Sequence, residues 1–126
     1  MSETEQLGVL QVVPATDEIA VLRLEGEFDV DNAPAIAEAG GRILTDDKHL
    51  IVDLSATTFL DSYAITALFG VADEASMAQR VAVMQLGTAA IVERALELTQ
   101  LDQAMPLRKT RTEAIDAIEQ LNRSAT

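Results

Sequence analysis

Cysteine is absent from the 126 residues, which excludes disulfide scaffolds, thiolate zinc sites and cysteine nucleophiles together and fits a reducing compartment, with the cytoplasm as the expected location. Histidine is nearly absent. The single imidazole, His49, falls beside Lys48 at the start of a short apolar run, a poor position from which to serve a Ser-His-Asp set. No Gly-x-Gly-x-x-Gly or Walker-type loop is present, so neither common way of cradling a nucleotide phosphate is available. Basic residues are scarce: nine Lys and Arg stand against 21 Asp and Glu, for a net charge of -12. Most of the surface therefore repels nucleic-acid phosphates and anionic lipid. The first residues, Met1 to Gln6, lack a basic and apolar leader pattern, and no run approaches the roughly 20 apolar residues of a membrane helix. Neither export nor membrane insertion is expected. Only Lys48 and Lys109 are lysines while alanine is abundant, a bias that often accompanies GC-rich bacterial coding.

What remains has the composition of a folded protein. Hydrophobic residues make up 48% and charged residues 24%, with the apolar positions in short runs. The length suits one domain, 1–126, with a structured core over about 7–121. Leu7 to Val13 and Glu18 to Leu24 read as two strands of a hairpin joined by Ala15-Thr16-Asp17. Asn32 as N-cap and Pro34 in the first turn open a helix to about Leu44, with Ala33, Ile36, Ala37, Gly40 and Leu44 inward. Gly40-Gly41 weakens that helix, which implies a close neighbour or an early end. His49 to Ser55 is a strand buried on both faces. A helix follows Asp61 to about Gln79, with Ile65, Leu68, Phe69, Ala72, Ala75 and Ser76 at helical spacing, and Val81 to Leu86 returns to strand. Ala89 to Thr99 is helical with Val92, Ala95, Leu96 and Thr99 on one face, and Met105 to Lys109 is a short edge strand. Thr110-Arg-Thr-Glu113 has capping-box spacing before a last helix with Ala114, Ile118 and Leu121 inward and a frayed tail from Arg123 to Thr126. The order β-β-α-β-α-β-α-(β)-α predicts an α/β fold: a mixed sheet of four to five strands covered by about four helices.

Asp61-Ser62 is the pair that carries chemistry. A hydroxyl at the start of a helix sits at its positive pole, where N–H groups favour a phosphate. A phosphoserine there adds about -1.5 to -2 charges beside Asp61, and near Asp29 and Asp31 if the hairpin and first helix converge on the same rim. The plainer explanation is that Asp61 or Ser62 is simply the helix N-cap. Asp29, Asp31, Asp53 and Asp61 lack EF-hand spacing, so a solvated acidic rim rather than a metal site is expected. Asp53, near the end of a buried strand, also raises a receiver-type phosphotransfer role, although it lacks an adjacent acidic pair.

The runs Leu22-Arg-Leu-Glu-Gly-Glu-Phe-Asp29, His49-Leu-Ile-Val-Asp-Leu-Ser55 and Thr58-Phe-Leu-Asp-Ser62 resemble STAS domains, specifically the bacterial anti-sigma factor antagonists. The resemblance spans roughly Leu7 to Leu121. It implies a regulatory binding module with no enzymatic activity and no cofactor, phosphorylated at Ser62 by an anti-sigma factor with serine kinase activity and reset by a serine phosphatase. The unphosphorylated form would bind that kinase and free a sigma factor. Asp29, Asp31, Asp61, Tyr63 and Thr66 would form the switch and partner surface around Ser62. The family continues Asp-Ser-Ser/Thr-Gly-Leu-Gly where this chain has Asp61-Ser62-Tyr63-Ala64-Ile65-Thr66, so both glycines are replaced and the surface offered to a partner is altered. That departure also admits a second role, a constitutive unphosphorylated STAS subunit of an assembly such as a lipid-transport ATPase complex.

Overall fold

A computed structural model describes residues 8–124. The N-terminal segment 1–7, including Leu7 as the expected start of the first strand, and the last two residues of the expected tail lie outside the described residues. The hairpin forms from β1 (Val9–Pro14) and β2 (Ile19–Phe28), paired antiparallel with Val13 opposite Val21. Then come α1 (Ala33–Thr45), β3 (His49–Asp53), β4 (Thr57–Leu60), α2 (Ser62–Met77), β5 (Ala82–Gln85), α3 (Ala90–Leu98), α4 (Leu101–Ala104), β6 (Leu107–Arg108) and α5 (Arg111–Ser124). The sheet runs β1-β2-β3-β5-β6, parallel from β2 onward, and β4 pairs in parallel with the far end of β2. The expected mixed α/β fold is present, with two elements more than the sequence suggested: β4, which reads as loop, and the one-turn α4.

Strand alternation divides the interior into two cores. Leu22, Leu24 and Phe28 of β2, Leu50 and Val52 of β3, and Ala82 and Met84 of β5 face α1 to α4. The residues between them, Ile19, Val21, Ile51 and Val83, face Ala114, Ala117 and Ile118 of α5. This is why β3 reads as a continuous apolar run: each side of the sheet has its own cover. Toward the C-terminal ends of the strands the α5 side turns polar. Arg23, Asp53 and Gln85 lie in register across β2, β3 and β5.

Several local expectations shift. Asn32 precedes α1 but makes no capping bond; its side chain is used elsewhere. Gly40-Gly41 does not end α1. Gly40 is instead where α1 meets α2, and a Cβ there would lie 2.9 Å from Val71 Cγ2. The inner face of α2 is Ala64, Ile65, Leu68, Val71 and Ala75, with Phe69 and Ala72 only partly buried and Ser76 exposed. Thr99 is exposed rather than inward. Leu121, expected on the inner stripe of α5, is 40% exposed because the helix has run past the sheet edge it covers. α5 remains helical through Ser124, so the fraying expected from Arg123 is not seen within the described residues. At its start Thr110 Oγ1 accepts the Glu113 N–H at 3.1 Å, as a cap should, but Glu113 answers to the Lys109 N–H, one residue before the reciprocal capping-box donor.

Candidate functional site

The parallel pairing of β4 with β2 builds the site. Phe28 is in register with Leu60, and the Asp61 N–H donates to the Phe28 carbonyl at 3.0 Å. The next residues along the two strands, Asp29 and Asp61, therefore leave the sheet side by side. The two carboxylates lie 32 positions apart in sequence, and only the unforeseen strand β4 joins them.

Asp61 settles which residue caps α2. Its backbone is extended, and its Oδ1 accepts the Ala64 N–H at 2.9 Å while its carbonyl accepts the Ile65 N–H. Ser62 is thus the first residue of the helix, exposed, and its hydroxyl has no partner among the described residues. The first N–H groups of the helix beyond the cap's reach, those of Ser62 and Tyr63, have no acceptor within the helix. The hydroxyl is free because the neighbouring aspartate does the capping.

The loop after β2 is held by its own side chains. Asp29 Oδ1 accepts the Asp31 N–H at 3.0 Å, Asn32 Oδ1 accepts the Asp29 N–H at 2.8 Å, and Asn32 Nδ2 donates to the Glu27 carbonyl at 3.0 Å. Asn32 therefore fixes the shape of Asp29–Asp31 instead of capping α1. Gly8 lies against this lock so closely that a Cβ would come within 2.6 Å of both Asn32 Nδ2 and the Glu27 carbonyl oxygen. Sequence reading missed both Asn32 in this role and Gly8. An Asx residue three positions after Asp29 was the available signal.

Tyr63 and Thr66 line a shallow groove of about 270 Å³ with Val30, Ala33, Pro34 and Ala67. Val30 is 51% and Tyr63 60% exposed. Exposed Asp29 and Asp31 flank Val30. All six residues singled out in the sequence, Asp29, Asp31, Asp61, Ser62, Tyr63 and Thr66, thus fall on one edge: an apolar slot rimmed by carboxylates, with a free hydroxyl beside it.

Asp53 belongs elsewhere. It is 1% exposed, its Oδ1 accepts both the N–H and the hydroxyl of Ser55, and its Oδ2 accepts Arg111 at 2.9 Å with Arg23 3.8 Å away. With both oxygens engaged, the carboxylate ties the first turn of α5 to the sheet, and a receiver-type role has no free oxygen to start from. His49 is equally structural. It is buried, and its Nδ1 accepts the Val81 N–H at 3.0 Å, joining the beginnings of β3 and β5. Among the described residues no group of three or more His, Asp or Glu is placed to hold a metal ion, and no helix is long and apolar enough to cross a membrane.

Comparison with known proteins gives the chain's relatives. The chain is 30% identical over 101 residues to the anti-sigma-F factor antagonist RsfB of Mycobacterium tuberculosis, a match covering 79% of this chain and 81% of the relative. The crystal structure of an anti-sigma factor antagonist from Mycobacterium paratuberculosis superposes with a TM-score of 0.75 at 30% identity, over 90% of this chain and 95% of that one. The anti-sigma factor antagonist SpoIIAA in its unphosphorylated form shares the fold at 21% identity, with a TM-score of 0.72 over 88% of this chain and 96% of that one. The STAS domain family model matches residues 11–114, from within β1 to the first turn of α5, and the chain belongs to the STAS domain family.

Proposed function

We propose that this chain is an anti-sigma factor antagonist: a regulatory binding protein, acting as a single domain and not as an enzyme, whose Asp61-Ser62 edge engages an anti-sigma factor with serine kinase activity. The unmodified form binds this partner, phosphorylation of Ser62 releases it, and a serine phosphatase restores the hydroxyl. The observation that carries the reading is the free, exposed Ser62 hydroxyl at the first position of α2, beside a cap supplied by Asp61.

The release step has a physical basis in the surroundings. A partner that covers the Val30-Pro34-Tyr63-Thr66 slot dries the adjacent hydroxyl. A hydroxyl tolerates this if it finds a hydrogen bond, whereas a phosphate of about -1.5 to -2 charges does not, since desolvating an unpaired charge is far costlier. Asp29, Asp31 and Asp61 supply no compensating cation. The α2 N–H groups hold the phosphate in the free protein, which favours the released state.

The test is incubation of the purified chain with ATP and each anti-sigma kinase encoded near it, read by intact-protein and peptide mass spectrometry. A phosphate gain at Ser62, lost in Ser62→Ala, is the expected result. Ser62→Asp should weaken binding of the same kinase by about tenfold or more. No modification by any of these kinases, together with co-purification of ATPase and permease subunits, would replace this reading with the constitutive-subunit role.

A further inference from the structure

We propose that β1 is a self-pairing edge: two copies of this chain join antiparallel along it, about a two-fold axis at Gln11, into one continuous sheet. β1 and β6 are the two ends of the main sheet path. β6 is protected by shortness and charge, having only Leu107 and Arg108. β1 runs Val9-Leu10-Gln11-Val12-Val13-Pro14, with no charged residue, no bulge in its pairing with β2, and a proline only at its last position. Val9, Val12 and Val13 are 49%, 57% and 41% exposed. The backbone bonds show which groups this edge offers. The Ala15 N–H donates to the Ile19 carbonyl at 2.9 Å, which makes these two a hydrogen-bonded antiparallel pair. Bonded and non-bonded pairs alternate along such a ladder, so Val13, Gln11 and Val9 are the residues that bond to Val21, Arg23 and Glu25 in the observed register. The other side of β2 has the matching alternation, since the His49 N–H donates to the Glu18 carbonyl at 2.8 Å. Leu10 and Val12 therefore turn their N–H and C=O groups away from β2, to a side where β1 has no neighbouring strand among the described residues.

The order of residues along the strand selects a second copy as the occupant. Antiparallel pairing centred on Gln11 sets Leu10 against Val12, and Val9 against Val13, of the other copy. Every exposed valine then meets an aliphatic side chain across the strands. In the same register Leu10 and Val12 exchange N–H and C=O bonds with their counterparts, so the free groups of one edge satisfy those of the other. The two Gln11 amides, each a donor and an acceptor, meet at the axis. One strand thus supplies both halves of an isologous contact. Charge agrees with this. A chain of net charge -12 repels its own copy over most of the surface, and an uncharged strand is where that repulsion is least. Screening over about 8 Å at physiological ionic strength leaves the short-range pairing in place.

The test is sedimentation of the purified chain from about 10 μM to about 1 mM, which should show a reversible monomer–dimer equilibrium. The dimer should tighten as NaCl rises from about 0.05 to about 0.5 M, because salt screens the repulsion and the contact holds no ion pair. Hydrogen exchange at the Leu10 and Val12 amides should slow as the chain concentration rises. Gln11→Lys and Gln11→Glu each bring like charges together at the axis, and each should weaken the dimer by about tenfold or more. Mixing the two variants should restore it as a heterodimer. Gln11 is exposed, so both variants should keep the wild-type circular dichroism. A chain that stays monomeric throughout overturns the proposal, as does a dimer that salt dissociates or one that leaves Leu10 and Val12 unprotected. A dimer indifferent to both variants, or a mixture no stronger than its components, also overturns it. None of these outcomes depends on phosphorylation of Ser62.

Discussion

Asp61 combines a capping acceptor and a negative charge in one side chain, and substitution separates them. Its Oδ1 satisfies the Ala64 N–H at the start of a sixteen-residue helix. Asp61→Ala should lose about 1 kcal/mol of stability in urea unfolding, the usual cost of a lost N-cap, while Asp61→Asn keeps an acceptor in the same place and should stay within a few tenths of wild type. If both variants lose equally, the carboxylate is not acting as a neutral-replaceable cap. Asp61→Asn then becomes the clean reagent for charge at the Ser62 edge, since any change in partner affinity arises without a frayed helix. Asp53 shows the opposite logic at the same scale. Two half-buried arginines and a serine converge on it, so its charge is spent inside the fold.

The α1–α2 contact turns on two adjacent glycines that look equivalent in sequence. A Cβ on Gly40 would meet the Val71 side chain at 2.9 Å, whereas one on Gly41 would meet only the Glu74 carboxylate at 3.3 Å. Val71 is buried and β-branched and has little room to turn; Glu74 is exposed and can swing away. Gly41→Ala should therefore gain about 0.5–1 kcal/mol from helix propensity. Gly40→Ala should lose about 1 kcal/mol or more, since overpacking outweighs the same gain. Adding Val71→Ala to Gly40→Ala should cost less than the sum of the two single changes; strict additivity in chemical unfolding would show that the two do not touch. The double glycine was legible only as a close approach or an early helix end, of which the first holds, while the hairpin and the buried strand expected over His49–Ser55, which ends at Asp53, were legible because turn residues and apolar runs are local signals. β4 was not. Thr57-Thr58-Phe59-Leu60 is four residues long with exposed Thr58 and Phe59, and its strand character comes from pairing with a bulged end of β2 about thirty residues away. Because β4 is what sets Asp61 beside Asp29, the candidate residues could be singled out one by one in the sequence while their place on one edge could not be read there.

At the scale of the molecule, the two cores make acid stability depend on the end of the sheet opposite Ser62. β3 begins at His49 and Val81 immediately precedes β5, and the Val81 N–H donates to His49 Nδ1, so the imidazole must be unprotonated at that nitrogen for the junction to close. Burial holds the His49 pKa below its ordinary 6.5, with the Arg80 guanidinium acting in the same direction and Glu18 and Asp47 opposing. Arg80 is itself held beside His49 by Asp47 at 2.8 Å. A folded-state value below the unfolded one means that the unfolded chain binds the proton first. The stabilisation is therefore complete above 6.5 and is lost as pH falls from there through the lowered value. Urea midpoints measured between about pH 7.5 and 5.5, above the main carboxylate range, should fall for wild type at the acid end. His49→Asn offers its Oδ1 as a neutral acceptor to Val81 and should show a flatter profile in the same window. Parallel profiles for the two proteins would place the acid sensitivity outside this junction. A decline that the variant removes would instead show that the β3–β5 junction, joining the elements that carry both cores, sets the acid limit of the whole fold.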